Sequence, residues 1–174
     1  MNNYLNVTEP KDFVLRLESD PILRQPAEDW NFSVDKNSAE VELEMIRLMK
    51  IFKGIGLAAN QVGLLKRVFV IKLKDQEEPF AVFNPIVVSE SNELQNSEEG
   101  CLSFPDLFFG VKRPKEIDVV YLDKLGNECK MKLSGIDARC FLHELDHLNG
   151  IVFTEKVSPM KLMLARKKQR KSKW

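Results

Sequence analysis

The chain has 174 residues, of which 44% are hydrophobic and 30% charged, and its 26 basic residues balance 26 acidic ones. This composition excludes a disordered tail and a globally basic nucleic-acid binder, so we expect no specific DNA binding. The length suits one compact domain over residues 1–174 with its own hydrophobic core, which needs no partner subunit and favours a monomer.

The first half of the chain predicts one long helix followed by strands. Apolar residues recur at helical spacing over 37–53, with Val41, Met45 and Leu48 on one face, and Gly54 is expected to stop this helix. Segments rich in β-branched and aromatic residues follow. Strands are predicted over 67–73 and 79–88, and a hairpin over 117–122 and 127–133 with its turn at 123–126.

Two further helices are predicted in the second half. The first runs over 136–149 and ends at Gly150, a residue typical of helix C-termini, and the second begins near Ser158 and Pro159. The order is not a regular βαβ alternation. It predicts an α+β fold in which small antiparallel or mixed sheets pack around the central helix, with a long helix in the N-terminal half and a short one at the C-terminus.

The strongest chemical signal is HELDH at 143–147, which contains both histidines of the chain. Four residues apart on a helix, His143 and His147 project from one face, as two ligands of one metal ion must. Glu144 then occupies the position from which a carboxylate acts as general base toward water at that metal. The alternative is a surface helix with pairs of His and acidic side chains, because so short a pattern also recurs by chance. The apolar residues around it favour a partly buried metal-binding helix.

A catalytic metal usually has three protein ligands, so one is missing from HELDH. Glu155 follows His147 too closely to resemble the downstream ligand of a zinc protease. Cys101, in EEGCLSFP at 98–105, is the better candidate, because sulfur with two imidazoles suits zinc or ferrous iron. Most free cysteines are only small buried hydrophobes, which fits Cys129 in a strand, whereas Cys140 is expected to line the site.

A third segment, GIGLAANQ at 54–61, is weak evidence by itself. Its glycines let another backbone approach closely, and Gln61 offers an amide donor suited to an oxyanion. The alternative is a helix end followed by an ordinary turn. A dinucleotide-binding loop is excluded, since the segment follows a helix and not a strand.

Together, and in this order, GIGLAANQ, EGCLS and HELDH resemble the three signature motifs of peptide deformylases. The 42 residues from Cys101 to His143 match the spacing in that family, and the resemblance extends roughly from Asp20 to Pro159. It implies hydrolysis of the N-formyl group from N-formylmethionyl nascent peptides, with release of formate.

The resemblance also implies roles for individual residues. The metal ligands are Cys101, His143 and His147, and Glu144 is the general base. The formyl oxygen is met by the backbone N–H of Leu102 and the amide of Gln61. The substrate lies in a groove formed by seven residues: Gly54, Ile55, Gly56, Glu99, Gly100, Ile136 and Cys140. The cofactor is one divalent metal ion, natively Fe2+ in most of the family, with Zn2+, Ni2+ or Co2+ able to replace it.

Two alternatives stay open from sequence. An HExxH metallopeptidase would require a downstream third ligand and leaves EGCLS unexplained. An inactive ribosome-associated binding module would have kept the fold but lost the reaction, although every reacting residue is present.

The C-terminal segment differs in charge from the rest of the chain. Residues 161–174 contain seven Lys or Arg and no acid, so the remainder has 19 basic and 26 acidic residues. We expect a basic helix over about 159–174 that docks on the ribosome; a solvated charged face is the commoner alternative. Residues 1–15 form an N-terminal extension without a functional interpretation. The lack of a signal sequence or apolar span, with three scattered cysteines, predicts a cytoplasmic protein with no membrane attachment.

Overall fold

The structure, a computed structural model, describes residues 9–171, so residues 1–8 of the N-terminal extension and 172–174 of the basic segment lie outside the described residues. Its three α-helices confirm those predicted: α1 Ser38–Ile51, α2 Gly135–Leu148 and α3 Pro159–Lys171. The strands are β1 Gly56–Ala58, β2 Val68–Ile71, β3 Phe80–Glu90, β4 Leu94–Cys101, β5 Phe104–Pro114, β6 Glu116–Leu122 and β7 Glu128–Ser134.

The strands form two sheets, and within residues 9–171 every strand pair is antiparallel. One sheet has five strands in the order β1-β2-β3-β6-β7, and the other is the two-stranded hairpin β4-β5. Helix α2 packs against strands of both sheets, which confirms an α+β fold around a central helix. The predicted hairpin of β6 and β7 is also present, with Gly126 at a φ of 84° in its turn.

The hairpin of β4 and β5 was not predicted from sequence. After Leu94, strand β4 continues with the polar residues 95–99, and their side chains do not alternate between a buried and an exposed face. A strand of this kind gives no period-two hydrophobic signal, because its position is fixed by pairing with β5 and not by burial of its own side chains.

Helices α1 and α2 end in the same hydrogen-bonded motif with different residues. After α2, Gly150 has a φ of 72° and its N–H donates to His147 O, while the N–H of Ile151 donates to Asp146 O at 2.9 Å. This is the Schellman motif, and Gly150 takes the left-handed position as predicted. After α1, however, the left-handed residue is Lys53, with a φ of 58°. Our prediction that Gly54 stops the helix was therefore wrong by one position.

Buried apolar residues form three clusters. The first joins α1 to β1, β2 and β3 and includes Met45 and Phe83. The second joins the five-stranded sheet to α2 and includes Phe141. The third joins β5 to the segment after α2 and includes Phe104 and Phe153.

The described part of the N-terminal extension contributes to the core. Pro10–Asp12 form a short 3-10 helix, and Phe13 is buried in the first cluster. The backbone N–H of Arg16 donates to Gln61 O at 2.7 Å, which ties this segment to the GIGLAANQ motif. No helix within residues 9–171 has the length and hydropathy needed to cross a membrane.

Candidate metal centre and substrate cavity

The structure brings together the three predicted metal ligands. Cys101, His143 and His147 offer one ligand atom each, and these atoms lie within 4.8 Å of one another. Cys101 Sγ is 3.2 Å from His147 Nε2, and the two imidazole rings are 5.0 Å apart at an angle of 73°. The histidines share a face of α2 as their four-residue spacing predicts, and both are buried.

Cys101 reaches the histidines because of an irregularity in the hairpin. Gly100 pairs with Phe108, but Cys101 pairs with Phe104, so β5 carries extra residues at this point. Asp106 lies within that bulge at a φ of 59°. A bulge bends its strand and re-aims side chains. Here it directs the last residue of β4 toward α2.

The buried carboxylate of Glu99 contacts the imidazole of His143. Glu99 Oε2 lies 3.1 Å from Nδ1 of His143, and the same carboxylate accepts from Nε of Arg113 at 2.6 Å and Nη1 of Arg139 at 2.6 Å. Burial raises the pKa of Glu99, but the hydrogen bonds and charges of His143 and Arg113 outweigh this and lower it to about 2. Glu99 is thus expected to be ionised, and a carboxylate in this position fixes the ring orientation of His143, the predicted metal ligand.

The surroundings of the two histidines shift their pKa values in opposite directions. Burial lowers the pKa of His143, but hydrogen bonds with Cys101 and Glu99 raise it to about 10. For His147, burial and the neighbouring charge of His143 both lower the pKa. Because an imidazole binds metal in its neutral form, we expect metal binding at His143 to release a proton.

Glu144 lies in the cavity with its carboxylate against the GIG segment. A Cβ atom placed on Gly56 would come within 2.8 Å of Glu144 Cδ and 2.9 Å of Cys140 Sγ, so only glycine fits here without displacement. Burial raises the pKa of Glu144 to about 7, against the opposing charges of His143 and Arg113. A carboxylate with a pKa near 7 can both accept and return a proton at neutral pH.

The two predicted oxyanion donors lie beside Cys101. Gln61 Nε2 is 3.5 Å from Cys101 Sγ and donates to Ser103 Oγ at 3.0 Å, while its Oε1 accepts from the N–H of Ala58. These contacts fix the amide with its N–H groups toward the thiol. Leu102 follows Cys101 in the turn that joins β4 to β5.

A cavity of about 700 Å³ opens beside this cluster, a volume typical of small-molecule sites. All seven residues predicted to form the substrate groove line it, with Cys101, Leu102, Gln61, His143 and Glu144. His147 does not line it and lies behind the other ligands, fully buried.

Several residues of the site were missed by sequence reasoning. Arg113 bridges Glu99 and Asp146, and Arg139 bonds Glu99 and three backbone carbonyls, yet neither lies in a motif. A buried arginine on the apolar face of α2 was the available signal for Arg139. Leu17 and Phe108 also line the cavity and carried no sequence signal.

The donor set fits a metal ion. Bonds of about 2.0–2.3 Å to nitrogen and sulfur place three ligands at separations compatible with those of Cys101, His143 and His147. One thiol and two imidazoles suit zinc or ferrous iron. The fold and this site define an α+β protein with a mononuclear metal centre at the wall of a substrate-sized cavity.

Comparison with known proteins specifies the family. A family model described as polypeptide deformylase matches residues 14–163. A peptide deformylase of Thermotoga maritima is 40% identical over 154 residues, covering 88% of this chain and 92% of the relative. A peptide deformylase of Synechococcus sp. (strain RCC307) is 44% identical over 139 residues, covering 78% of this chain and 69% of the relative. The chain therefore belongs to the polypeptide deformylase family, whose members are metal-dependent hydrolases.

Solved structures agree with this assignment. The crystal structure of the Thermotoga maritima peptide deformylase superposes with a TM-score of 0.80 and 39% identity, covering 84% of this chain and 98% of that one. A Synechococcus elongatus peptide deformylase in complex with actinonin superposes with a TM-score of 0.83 and 34% identity, covering 96% and 92%.

Proposed function

We propose that this chain removes the formyl group from the N-terminal formyl-methionine of nascent polypeptides and releases formate. One observation carries the proposal: Glu144 lines the same cavity as Cys101 and His143, whose ligand atoms lie within 4.8 Å of each other and of that of the buried His147. A general base beside a three-ligand metal site, at the edge of an accessible cavity, is the arrangement that hydrolysis of an amide requires.

In this mechanism the protein positions the water, the formyl group and the protons. The bound ion would lower the pKa of water toward about 7 and polarise the formyl carbonyl. Glu144 accepts the proton from the attacking water and later protonates the leaving amine. The amide of Gln61 and the N–H of Leu102 donate to the oxygen on which negative charge develops, and the loss of one such donor typically costs about a hundredfold in rate.

The substrate lies extended between the two walls of the cavity. Gly54, Ile55 and Gly56 form one wall, and Glu99 and Gly100 belong to the other. Ile136 and Cys140 place apolar surface near the metal cluster, where the methionine side chain enters. The Synechococcus elongatus relative binds actinonin, which supports the presence of a small-molecule site on this fold.

The proposed metal is ferrous iron, which the thiol and the two imidazoles can bind, as they can zinc, nickel or cobalt. The competing endopeptidase function requires a third ligand after the helix. Glu155 does not supply it, because its carboxylate is exposed and pairs with Arg24 at 3.7 Å. The approach of Cys101 to both histidines instead supports the deformylase.

The remaining proposals concern the setting of the enzyme. All three cysteines are free thiols, which supports a reducing, cytoplasmic environment. The clusters of apolar residues meet around the site, which supports a single catalytic domain that acts as a monomer. Helix α3 exposes Lys167, Lys168 and Arg170, which supports docking on the RNA phosphates of the ribosome.

The decisive experiment is formate release from formyl-Met-Ala-Ser by protein purified anaerobically with iron. We expect turnover that depends on the metal and on the formyl group. Cleavage of internal peptide bonds without formate release would favour the endopeptidase. Bound metal with neither activity would favour the inactive binding module.

A further inference from the structure

The mouth of the cavity has charged side chains of opposite sign on its two walls. Lys53 stands on the wall formed by the end of α1 and the GIG segment, and Glu98 and Asp106 belong to the β4-β5 hairpin. All three side chains are exposed, and among residues 9–171 none of them forms an ion pair. Their charges are therefore available to a ligand in the cavity.

Lys53 and Asp106 also occupy backbone conformations that side chains disfavour. Their φ angles are 58° and 59°, in the left-handed region where glycine is the usual residue. Lys53 takes the same position in the Schellman motif of α1 that Gly150 takes in that of α2. Side chains kept at a cost to backbone free energy cluster at functional sites.

We propose that Lys53 and Asp106 are specificity-determining residues that select nascent peptides by the charge of the residues after formyl-methionine. Lys53 contacts an acidic side chain of the peptide, and Asp106 contacts a basic one. The inference rests on the proposed function, because it concerns the same cavity.

The size of the cavity and the geometry of an extended peptide support contacts with both residues. Its volume of about 700 Å³ is of the size that encloses a drug-sized ligand, which leaves room beyond a methionine side chain. Successive side chains of an extended peptide point in opposite directions, so neighbouring residues meet opposite walls. The peptide thus reaches Lys53 with one side chain and Asp106 with the next.

The test compares formyl-Met-X-Ala and formyl-Met-Ala-X peptides in which X is Glu, Gln or Lys. Exposed ion pairs are weak, so Lys53→Gln should lower kcat/KM for the preferred Glu peptide, relative to its Gln counterpart, by about two- to fivefold. Asp106→Asn should do the same for a Lys peptide. Both changes should appear in KM, since the contact is equal in ground and transition states, and should fade at high salt.

Lys72→Gln is the matched control, because Lys72 is an exposed lysine whose N–H bonds Ile55 O but whose side chain does not line the cavity. It should leave the Glu to Gln ratio as in the wild type. Lys53→Gly should abolish the Glu preference and raise the Tm, because glycine relieves the left-handed strain. A lower Tm would show that Lys53 is kept for the fold and would overturn the proposal.

Unchanged charge ratios in both Lys53→Gln and Asp106→Asn would also overturn it. If the metal-loaded wild type releases no formate from any peptide, the proposed function fails, and selectivity is then measured by calorimetric binding of the same peptides. If Lys53→Gln, but not the wild type or Lys72→Gln, bound the Glu peptide more weakly, charge selection would still be supported. Equal affinities in wild type and variants would refute it.

Discussion

Glu99 Oε2 lies 3.1 Å from Nδ1 of His143, which leaves Nε2 of the imidazole as the nitrogen proposed to bind the metal. Carboxylates in this position usually raise metal affinity by about 10- to 100-fold. We therefore expect Glu99→Gln to release metal faster to a chelator by a factor in that range. Glu98→Gln, at the exposed neighbouring position, is the control and should release metal at the wild-type rate. Equal rates in Glu99→Gln would show that His143 needs no carboxylate.

Gly56 should be intolerant of a side chain because of its contact with Glu144. We expect Gly56→Ala to retain the metal but lose most of its turnover, since the added Cβ would meet Glu144 Cδ at 2.8 Å and displace the base. Gly54→Ala should be milder, because its Cβ meets the end of the flexible Leu102 side chain at 2.8 Å and the backbone oxygen of Gly56 only at 3.2 Å. Steady-state kinetics with metal analysis would check both variants, and equal losses would contradict the explanation.

Replacement of the base should separate stability from activity. Glu144→Gln is expected to lower kcat by about 10²- to 10⁴-fold while the metal stays bound. In the metal-free protein it should also be stabilising above pH 7. The folded-state pKa of Glu144 is raised from 4.5 to about 7, so ionisation in the unfolded state lowers the free energy of unfolding as pH rises through this window. Denaturant titrations at pH 5 and pH 8 would measure this, and an equal effect at both would contradict it.

We expect the rate at which activity is lost in air to depend on the bound metal. With ferrous iron beside the Cys101 thiol and an open cavity, activity in air should decay faster than with nickel. Half-lives of the two metal forms, measured with and without oxygen, would check this. Equal half-lives in air would show that iron oxidation is not the weak point.

The proposed ribosome contact can be tested without cutting α3. Truncation would expose the third cluster, because Leu162 and Ala165 pack against it, and would remove bonds from Lys161 to Gly110 O and from Gln169 to Pro105 O. Changing the exposed Lys167, Lys168 and Arg170 to Glu should weaken co-sedimentation with ribosomes at low salt and leave the hydrolysis of a short peptide intact.

The same change at Lys115, between β5 and β6, and at Lys130 and Lys132, on β7, is the control for net charge. It should weaken co-sedimentation less than the change in α3. An equal loss in both variants would indicate a general charge effect and leave α3 as a solvated face.

The motifs of the site were predictable because their chemistry is local. HELDH places the two proposed histidine ligands and the proposed base close together on α2, and the helix itself was predicted from its periodicity. The hairpin of β4 and β5 could not be predicted, because its polar residues give no alternation. Asp106 acquires its position from that hairpin.

The ion pairs of Glu99 with Arg113 and Arg139 could not be predicted from the sequence either. Glu99 and Arg139 are 40 residues apart in sequence but their charged atoms are 2.6 Å apart in space. No periodicity or motif connects them, since the pairing follows from the packing of α2 against the hairpin. The end of α1 was misplaced for a similar reason: glycine at 54 was the obvious stop, and only the backbone shows Lys53 in the left-handed position.

The proposed ligands also come from parts of the molecule whose apolar side chains belong to different clusters. The two histidines are on α2, whose Phe141 and Leu148 lie in the second cluster, whereas Cys101 packs against the third. A bound ion would therefore cross-link α2 to the hairpin of β4 and β5. When a chelator removes the ion, amide hydrogens of the hairpin should exchange with solvent sooner than those of β2 and β3. Local unfolding of the domain would then begin at the proposed active site.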